Sequence, residues 1–326
     1  ELDFETQYVG VPFANLLATG FQLTGASSYH NASGNTYIYI AIRRPMKTPE
    51  AGTEVFEVYQ GDGTGPPGVQ TSFPVDFGFY RNVTNSSSSW EVGTRILQGK
   101  ELAFNTTGAE VDDSKFQFDY QDGWRTGSIS SIFYAWNFKR APGFMDVVAY
   151  TGDHNFDTAA SKRALSHNLT VLPELVIIKR RNGAANWTTA VALSSTQWVT
   201  GPTTGFALNT NANVGSTYSF STFSYGTASV FYPAVINSGY SGTNNSGATY
   251  VAYLFATLAG VSKVGSYTGT GADLNVDCGF SSGARFILIK RTDTEITVAP
   301  TTGWYVWDSV RGIVAGNDPH ILLNTT

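Results

Sequence analysis

Three of the seven tryptophans, Trp90, Trp187 and Trp304, recur at one place in a repeating pattern. A ring that size at a fixed place in a β-rich repeat is expected to fill the space between sheets. Trp198, Tyr305 and Trp307 are less regular. Rings outside a core can stack on sugar faces, so these three are the candidate glycan-binding residues. Lys179-Arg180-Arg181, Lys290-Arg291 and Arg43-Arg44 each end an apolar run. Cations there are expected to cap strands in water and to discourage edge pairing; an anion site is the alternative. Asp308 and Arg311, three residues apart, can pair across a turn and fix its shape. The first repeat has Gly93-Thr94-Arg95 at that place, so a catalytic carboxylate would not be repeated.

Glu110, Asp112, Asp113, Asp119 and Asp122 crowd a polar insertion. Loop oxygens can hold Ca²⁺, but this spacing is not that of a calcium loop. Asp273 and Asp277 would share one side of an extended strand, whereas glycoside hydrolysis needs two carboxylates opposed across a bond. His30, His154, His167 and His320 are scattered, without zinc-ligand spacing. Cys278, within Val276-Asp277-Cys278-Gly279-Phe280, reads as an inert, half-buried thiol on a strand. Gly61-Asp62-Gly63-Thr64-Gly65 reads as a turn, because no long helix follows it to hold phosphate. The Asn-x-Ser/Thr triplets, Asn31 and Asn324 among them, arise by chance in a chain this rich in those residues. No catalytic residue, cofactor or metal ligand is expected.

The elements that position these groups follow from composition. Charged residues make up 14% of the 326 and hydrophobic ones 42%, with a net charge of -5; about 25% charged is usual. Abundant aromatics argue against disorder. A single Cys argues against a disulfide scaffold. The lack of a basic excess argues against a general nucleic-acid binder. No run of 18 apolar residues is present to cross a bilayer as a helix. Gly, Ser, Thr and Asn separate runs of Tyr, Phe, Val and Ile, which predicts strands joined by tight turns. The expected class is all-β, with antiparallel sandwiches favoured over a β-helix because no short rung period exists.

Repetition organises the chain. Tyr59-Gln60-Gly61, Tyr150-Thr151-Gly152 and Tyr267-Thr268-Gly269 open successive copies. Leu175-Val176-Ile177-Ile178-Lys179-Arg180 matches Phe286-Ile287-Leu288-Ile289-Lys290-Arg291, with Phe77-Gly78-Phe79-Tyr80-Arg81 as a degraded copy. Asn105-Thr106-Thr107 matches Asn324-Thr325-Thr326, with Asn209-Thr210 as a looser version. Asn31-Ala32-Ser33-Gly34-Asn35-Thr36-Tyr37 matches Asn244-Asn245-Ser246-Gly247-Ala248-Thr249-Tyr250. The expected organisation is the back half of a repeat at 1–57, whole repeats at 58–141 and 142–258, and a front half at 259–326. Both ends cut through a repeat, so either a longer parent chain carries the flanks or the halves complete each other, within a chain or between copies.

As an ordered set, these motifs resemble tailed-bacteriophage tail-fibre and virion proteins, especially those of marine phages. The match is best at 267–269, 286–291, 304–312, 324–326 and 244–255, and weakest over 58–135. The resemblance implies jelly-roll, concanavalin- or laminin-G-like sandwich repeats on the exterior of a virion tail or appendage. It implies a non-enzymatic structural protein that contributes to host attachment, with other copies of itself and other virion proteins as partners. A homo-oligomer, a trimer by analogy with phage fibres, is expected. The alternatives are a lectin-like module for a bacterial surface glycan and a secreted polysaccharide depolymerase. Neither nucleic-acid binding nor membrane insertion is expected.

Overall fold

The computed structural model describes residues 14–17, 20–23, 30–41, 46–61, 68–113, 115–125, 132–153, 163–194, 197–200, 207–210, 216–219, 226–233, 243–292, 303–312 and 318–325. The chain divides into two compact units, Glu1–Pro45 and Met46–Thr326.

In the first unit, β1 (Ala14–Leu17) and β2 (Gly20–Leu23) form an antiparallel hairpin. A turn at 31–35 follows, with Gly34 at φ +81°. The Ala32 N–H donates to the Tyr37 hydroxyl at 3.0 Å. The strand expected after this turn is not formed over 36–41. A strand exists only where a neighbour takes its backbone groups, and none is present there among the described residues.

The second unit holds three repeats. The first runs β3 (Phe56–Gly61), β4 (Val69–Gln70), β5 (Phe77–Asn82), β6 (Glu91–Thr94), β7 (Lys100–Ala103), β8 (Val111–Asp112), β9 (Gly123–Trp124) and β10 (Phe133–Phe138). The second runs β11 (Met145–Thr151), β12 (Leu165–Ser166), β13 (Leu175–Arg180), β14 (Trp187–Ser194), β15 (Gln197–Thr200), β16 (Ser216–Ser219), β17 (Val230–Phe231) and β18 (Thr249–Phe255). The third has β19 (Phe286–Lys290), β20 (Trp304–Asp308) and β21 (Ile321–Leu322). The fold is all-β and antiparallel; two single-turn 3-10 helices are the only helices among the described residues.

The two complete repeats share one topology, β3-β10-β5-β6-β7-β8 and β11-β18-β13-β14-β15-β16. The third sheet is β19-β20-β21 and lacks partners corresponding to β10 and β18 among the described residues. Its opening anchor is coil: Tyr267 is 51% exposed, whereas its counterpart Tyr150 is buried on β11. Residues 273–280 form no strand either. The strand expected to hold Asp273, Asp277 and Cys278 is therefore absent, for want of a neighbour to pair with.

Strand alternation gives each large sheet two faces. One face of all three sheets enters a single core that includes Phe77, Phe79, Ile177, Tyr253, Val306 and Leu323. The repeats are thus not independent globules. The opposite face of the first sheet carries a second layer, where Val69 and Trp124 of the β4–β9 pair join Phe116 over Tyr80 and Ala135. Gly93 makes this layer fit, because a Cβ there would lie 2.3 Å from the Phe116 ring. In the second repeat, the β12–β17 pair sets Phe231 edge-on to Tyr150.

The recurring tryptophans join the repeats. Trp187 Nε1 donates to the Ala103 carbonyl of the first repeat at 2.8 Å, and Trp304 Nε1 to Ala207 of the second at 3.1 Å. Trp90 Nε1 donates to Leu322 of the third at 2.9 Å, which closes the ring. The backbone N–H of each tryptophan donates to the side-chain oxygen of an asparagine of its own repeat: Asn105, Asn209 and Asn324. Each tryptophan carbonyl accepts from the residue before that asparagine: Phe104, Leu208 and Leu323. The Asn-Thr motif is thus the clamp that holds its tryptophan. Burying one such ring removes roughly 200 Å² from water, worth at most about 5 kcal/mol.

Lys179 departs from the expectation for strand-end cations. Its ammonium is buried and donates to the carbonyls of Thr107 and Ala185 at 2.9 and 2.6 Å. Positions 175, 177 and 179 share the inner face, so the lysine reaches the neighbouring repeat instead of water. Burial, with Arg180 beside it, lowers its pKa to about 8. Arg181 pairs with Glu110 of the first repeat at 2.7 Å. Arg43-Arg44 lies outside the described residues.

Candidate functional site

The sheet face opposite the shared core differs most between repeats. Pairing registers make Gly93, Ala190 and Trp307 equivalent, three residues after the joint tryptophans. Gly93 lies beneath Phe116, and Ala190 is buried. In the third repeat the position holds an indole. On β20, Trp304, Val306 and Asp308 face the core, so Tyr305 and Trp307 face away.

Tyr305 and Trp307 lie with ring centroids 5.6 Å apart and planes 19° apart. His320, just before β21, completes the group at 5.1 Å from Tyr305 and 5.8 Å from Trp307. In β19, Ile289 and Ile287 pair with Tyr305 and Trp307 and extend the apolar surface. Both aromatic rings are half-buried and His320 is exposed. Near-parallel rings, with an imidazole tilted 45–48° to them, form an aromatic shelf that can offer a ring face to a sugar and one hydrogen-bonding edge. Two of the three sequence candidates, Tyr305 and Trp307, therefore come together. The backbone of Trp198 lies in β15, and its side chain is outside the described residues. His320 was missed because its approach depends on the β20–β21 register.

Beneath this face lies a polar node. Asp308 Oδ2 accepts from Arg311 Nε at 2.5 Å and from Trp136 Nε1 at 3.2 Å. Its Oδ1 accepts from the N–H groups of Val310 and Arg311. The pair expected across this turn is present, and it also holds the third repeat to β10 of the first.

The acidic insertion becomes a set of ion pairs. Asp112 pairs with Lys100, and Gln98 donates to Asp119. Lys115 lies 2.7 Å from Glu91, 3.1 Å from Glu101 and 3.1 Å from Asp113. Among the described residues, no group of three metal-ligating side chains converges. Burial and then Glu91 push the Glu101 carboxyl from 4.5 up to about 8, against the pull of Lys115. Burial works against the Lys115 ammonium, but Glu91 and Glu101 outweigh it and raise its pKa. Between about 4.5 and 8, the unfolded chain releases a proton that folded Glu101 keeps, so stability falls as pH rises across that window. Glu101→Gln is expected to flatten this fall, measured as urea midpoints at about pH 5 and about pH 8.

Of the remaining candidates, buried His167 accepts from the Leu169 N–H at Nδ1, leaving Nε2 to donate to Thr227 O at 3.2 Å. Burial lowers its pKa, so it remains neutral at neutral pH. Cys278 is half-buried, as expected, but on coil. His154 and residues 62–65 lie outside the described residues.

Residues 122–325 match the model of a domain of unknown function, DUF7483. The chain belongs to that family. The DUF7483 region takes in β9 and β10 and the whole of the second and third repeats, so it includes the aromatic shelf, the Asp308 node, the Trp304 joint and Trp187 itself, whose acceptor Ala103 precedes it. No curated protein and no solved structure matches the chain.

Proposed function

We propose that this chain is a non-enzymatic virion structural protein, a segment of a tail fibre or related appendage of a tailed bacteriophage that contributes to host attachment. The observation that carries this reading is the use made of the repeated residues. The tryptophan and the Asn-Thr clamp recur three times, and each time they join one repeat to the next. A repeat whose most distinctive residues are joints suits a load-bearing particle component. The finer fold assignment, jelly-roll or concanavalin-like sandwich repeats, is supported by the second layers over the first two sheets. The proposed partners are further copies of the chain and other virion proteins, at the particle exterior, and no cofactor is assigned. Peptides of this chain are expected in gradient-purified particles, with antibody labelling at the tail. Recovery only from the soluble fraction of a lysate would overturn the reading.

The aromatic shelf favours a second reading, a lectin-like contact with a bacterial surface glycan. Tyr305 and Trp307 are then the stacking residues. Trp307→Ala is expected to weaken oligosaccharide binding about 5- to 150-fold, since stacking and buried apolar area together contribute on the order of 1–3 kcal/mol. Fluorescence titration of both proteins reads this out, and equal affinities would remove the shelf from the account. A depolymerase would instead shorten the glycan, with turnover abolished by replacing one Asp or Glu.

A further inference from the structure

We infer that residues 36–41 of a second copy of this chain form the missing central strand of the third repeat, inserted between its opening segment and β19. The inference deepens the self-association part of the proposed function and stands whether or not the oligomer belongs to a virion.

The first observation is the incomplete sheet. In both complete repeats a central strand, β10 or β18, is paired on both sides, with β3 and β5 or with β11 and β13. The third repeat has the sequence for both neighbours: 263–267 corresponds to β11, and β19 to β13. Yet β19 is the edge of its sheet among the described residues. Its five residues are all half-buried, whereas Val176, Ile177 and Ile178 of β13 are buried.

The second observation is a strand with the matching sequence and no sheet. Its entry turn already has the geometry of the turn into β18. Ala32 N–H donates to Tyr37 Oη as Asn245 N–H donates to Tyr250 Oη, at 3.0 and 2.9 Å. Gly34 and Gly247 have φ of +81° and +72°. Asn35 N–H and Ala248 N–H each close the turn onto the carbonyl three residues back. Beyond that turn, Ile38 is 99% exposed and Ile40 86%.

The registers of the complete repeats place this strand residue by residue. In β18, Val251 pairs with Lys179 and Ala149, and Tyr253 with Ile177 and Val147. By equivalence, Ile38 pairs with Lys290 and Ser266, and Ile40 with Leu288 and Val264. Val251 and Tyr253 both enter the shared core. Ile38 and Ile40, the isoleucines most open to water among the described residues, therefore occupy the two positions that the complete repeats bury. Phe286 and Leu288, already packed against that core, are the neighbours they would meet. The self-association proposed above makes a second copy the source of this strand.

Two single-cysteine proteins, Ile40→Cys and Leu288→Cys, each also carrying Cys278→Ser, are co-expressed and oxidised. The expected result is a covalent heterodimer on non-reducing gels, and its absence from a pairing of Tyr120→Cys with Leu288→Cys. A protein with both Ile40→Cys and Leu288→Cys checks for closure within one chain. A cross-link confined to single chains overturns the inference, as does an oligomer by mass measurement that gives no 40–288 link. Since cysteine at 288 could disturb folding, hydrogen exchange of 264–290 in the unmodified protein gives a second readout. Slow exchange that becomes at least tenfold faster with Ile38→Asp/Ile40→Asp, together with a fall in assembly mass, supports strand exchange. Fast exchange in the unmodified protein, or slow exchange in a monomer, overturns it.

Discussion

Replacing Trp187 with alanine is expected to lower the unfolding free energy by about 3–5 kcal/mol, the range for deleting a large buried aromatic. The indole is fully buried, with its ring 4.7 Å from Phe104 of the first repeat and 6.1 Å from Tyr253. Its loss leaves a cavity where two repeats meet and also leaves the Ala103 carbonyl without the indole N–H. Trp187→Phe keeps most of the packing and removes the donor, so it is expected to cost about 1–3 kcal/mol. Because the three joints lie on one ring, Trp90→Ala and Trp304→Ala are expected to lower the whole transition by similar amounts. Urea melts of the three variants check this. A substitution that melts only one repeat, leaving the rest at the original midpoint, would show that the repeats are separate cooperative units.

Asp308→Ala is expected to have a comparable effect, about 3–5 kcal/mol, for a different reason. The Asp308 side chain is fully buried and that of Arg311 is 6% exposed. Removing the carboxylate strands a buried guanidinium and the Trp136 N–H together. Asp308→Asn retains an acceptor and should cost less. Arg311→Met, which removes the cation and keeps the bulk, tests the balance from the other side. Thermal unfolding of the set at neutral pH separates them. Equal, small shifts for Asp308→Ala and Asp308→Asn would mean that the node does not hold the seam. In the second repeat Val191 stands at this place and in the first Thr94, so the node belongs to the third repeat alone.

Much of the strand content was legible because the anchors are runs whose chemistry fits only a sheet. Leu175-Val176-Ile177-Ile178 became β13, and its copy at 286 became β19. The core role of Trp90, Trp187 and Trp304 was legible from recurrence. Their function as joints was not, because the acceptors are backbone carbonyls, which every residue offers. Lys179 was misread as a solvent cap, although its place two residues after Ile177 puts it on the inner face. Trp307 was legible as a candidate, and aligning the joint tryptophans shows why it stands out, since Gly93 and Ala190 are the small residues at its place. The strand expected after the 31–35 turn is absent over 36–41 because a strand's identity lies partly in the partner that its sequence does not contain.

The closed ring of repeats is tested most directly by hydrogen exchange of the indole N–H groups of Trp90, Trp187 and Trp304, followed by NMR. The closed ring predicts that all three exchange slowly, at one rate set by unfolding of the whole 46–326 unit, and that any joint substitution speeds all of them together. Fast exchange at Trp90 alone would leave the first and third repeats unjoined and would contradict the ring.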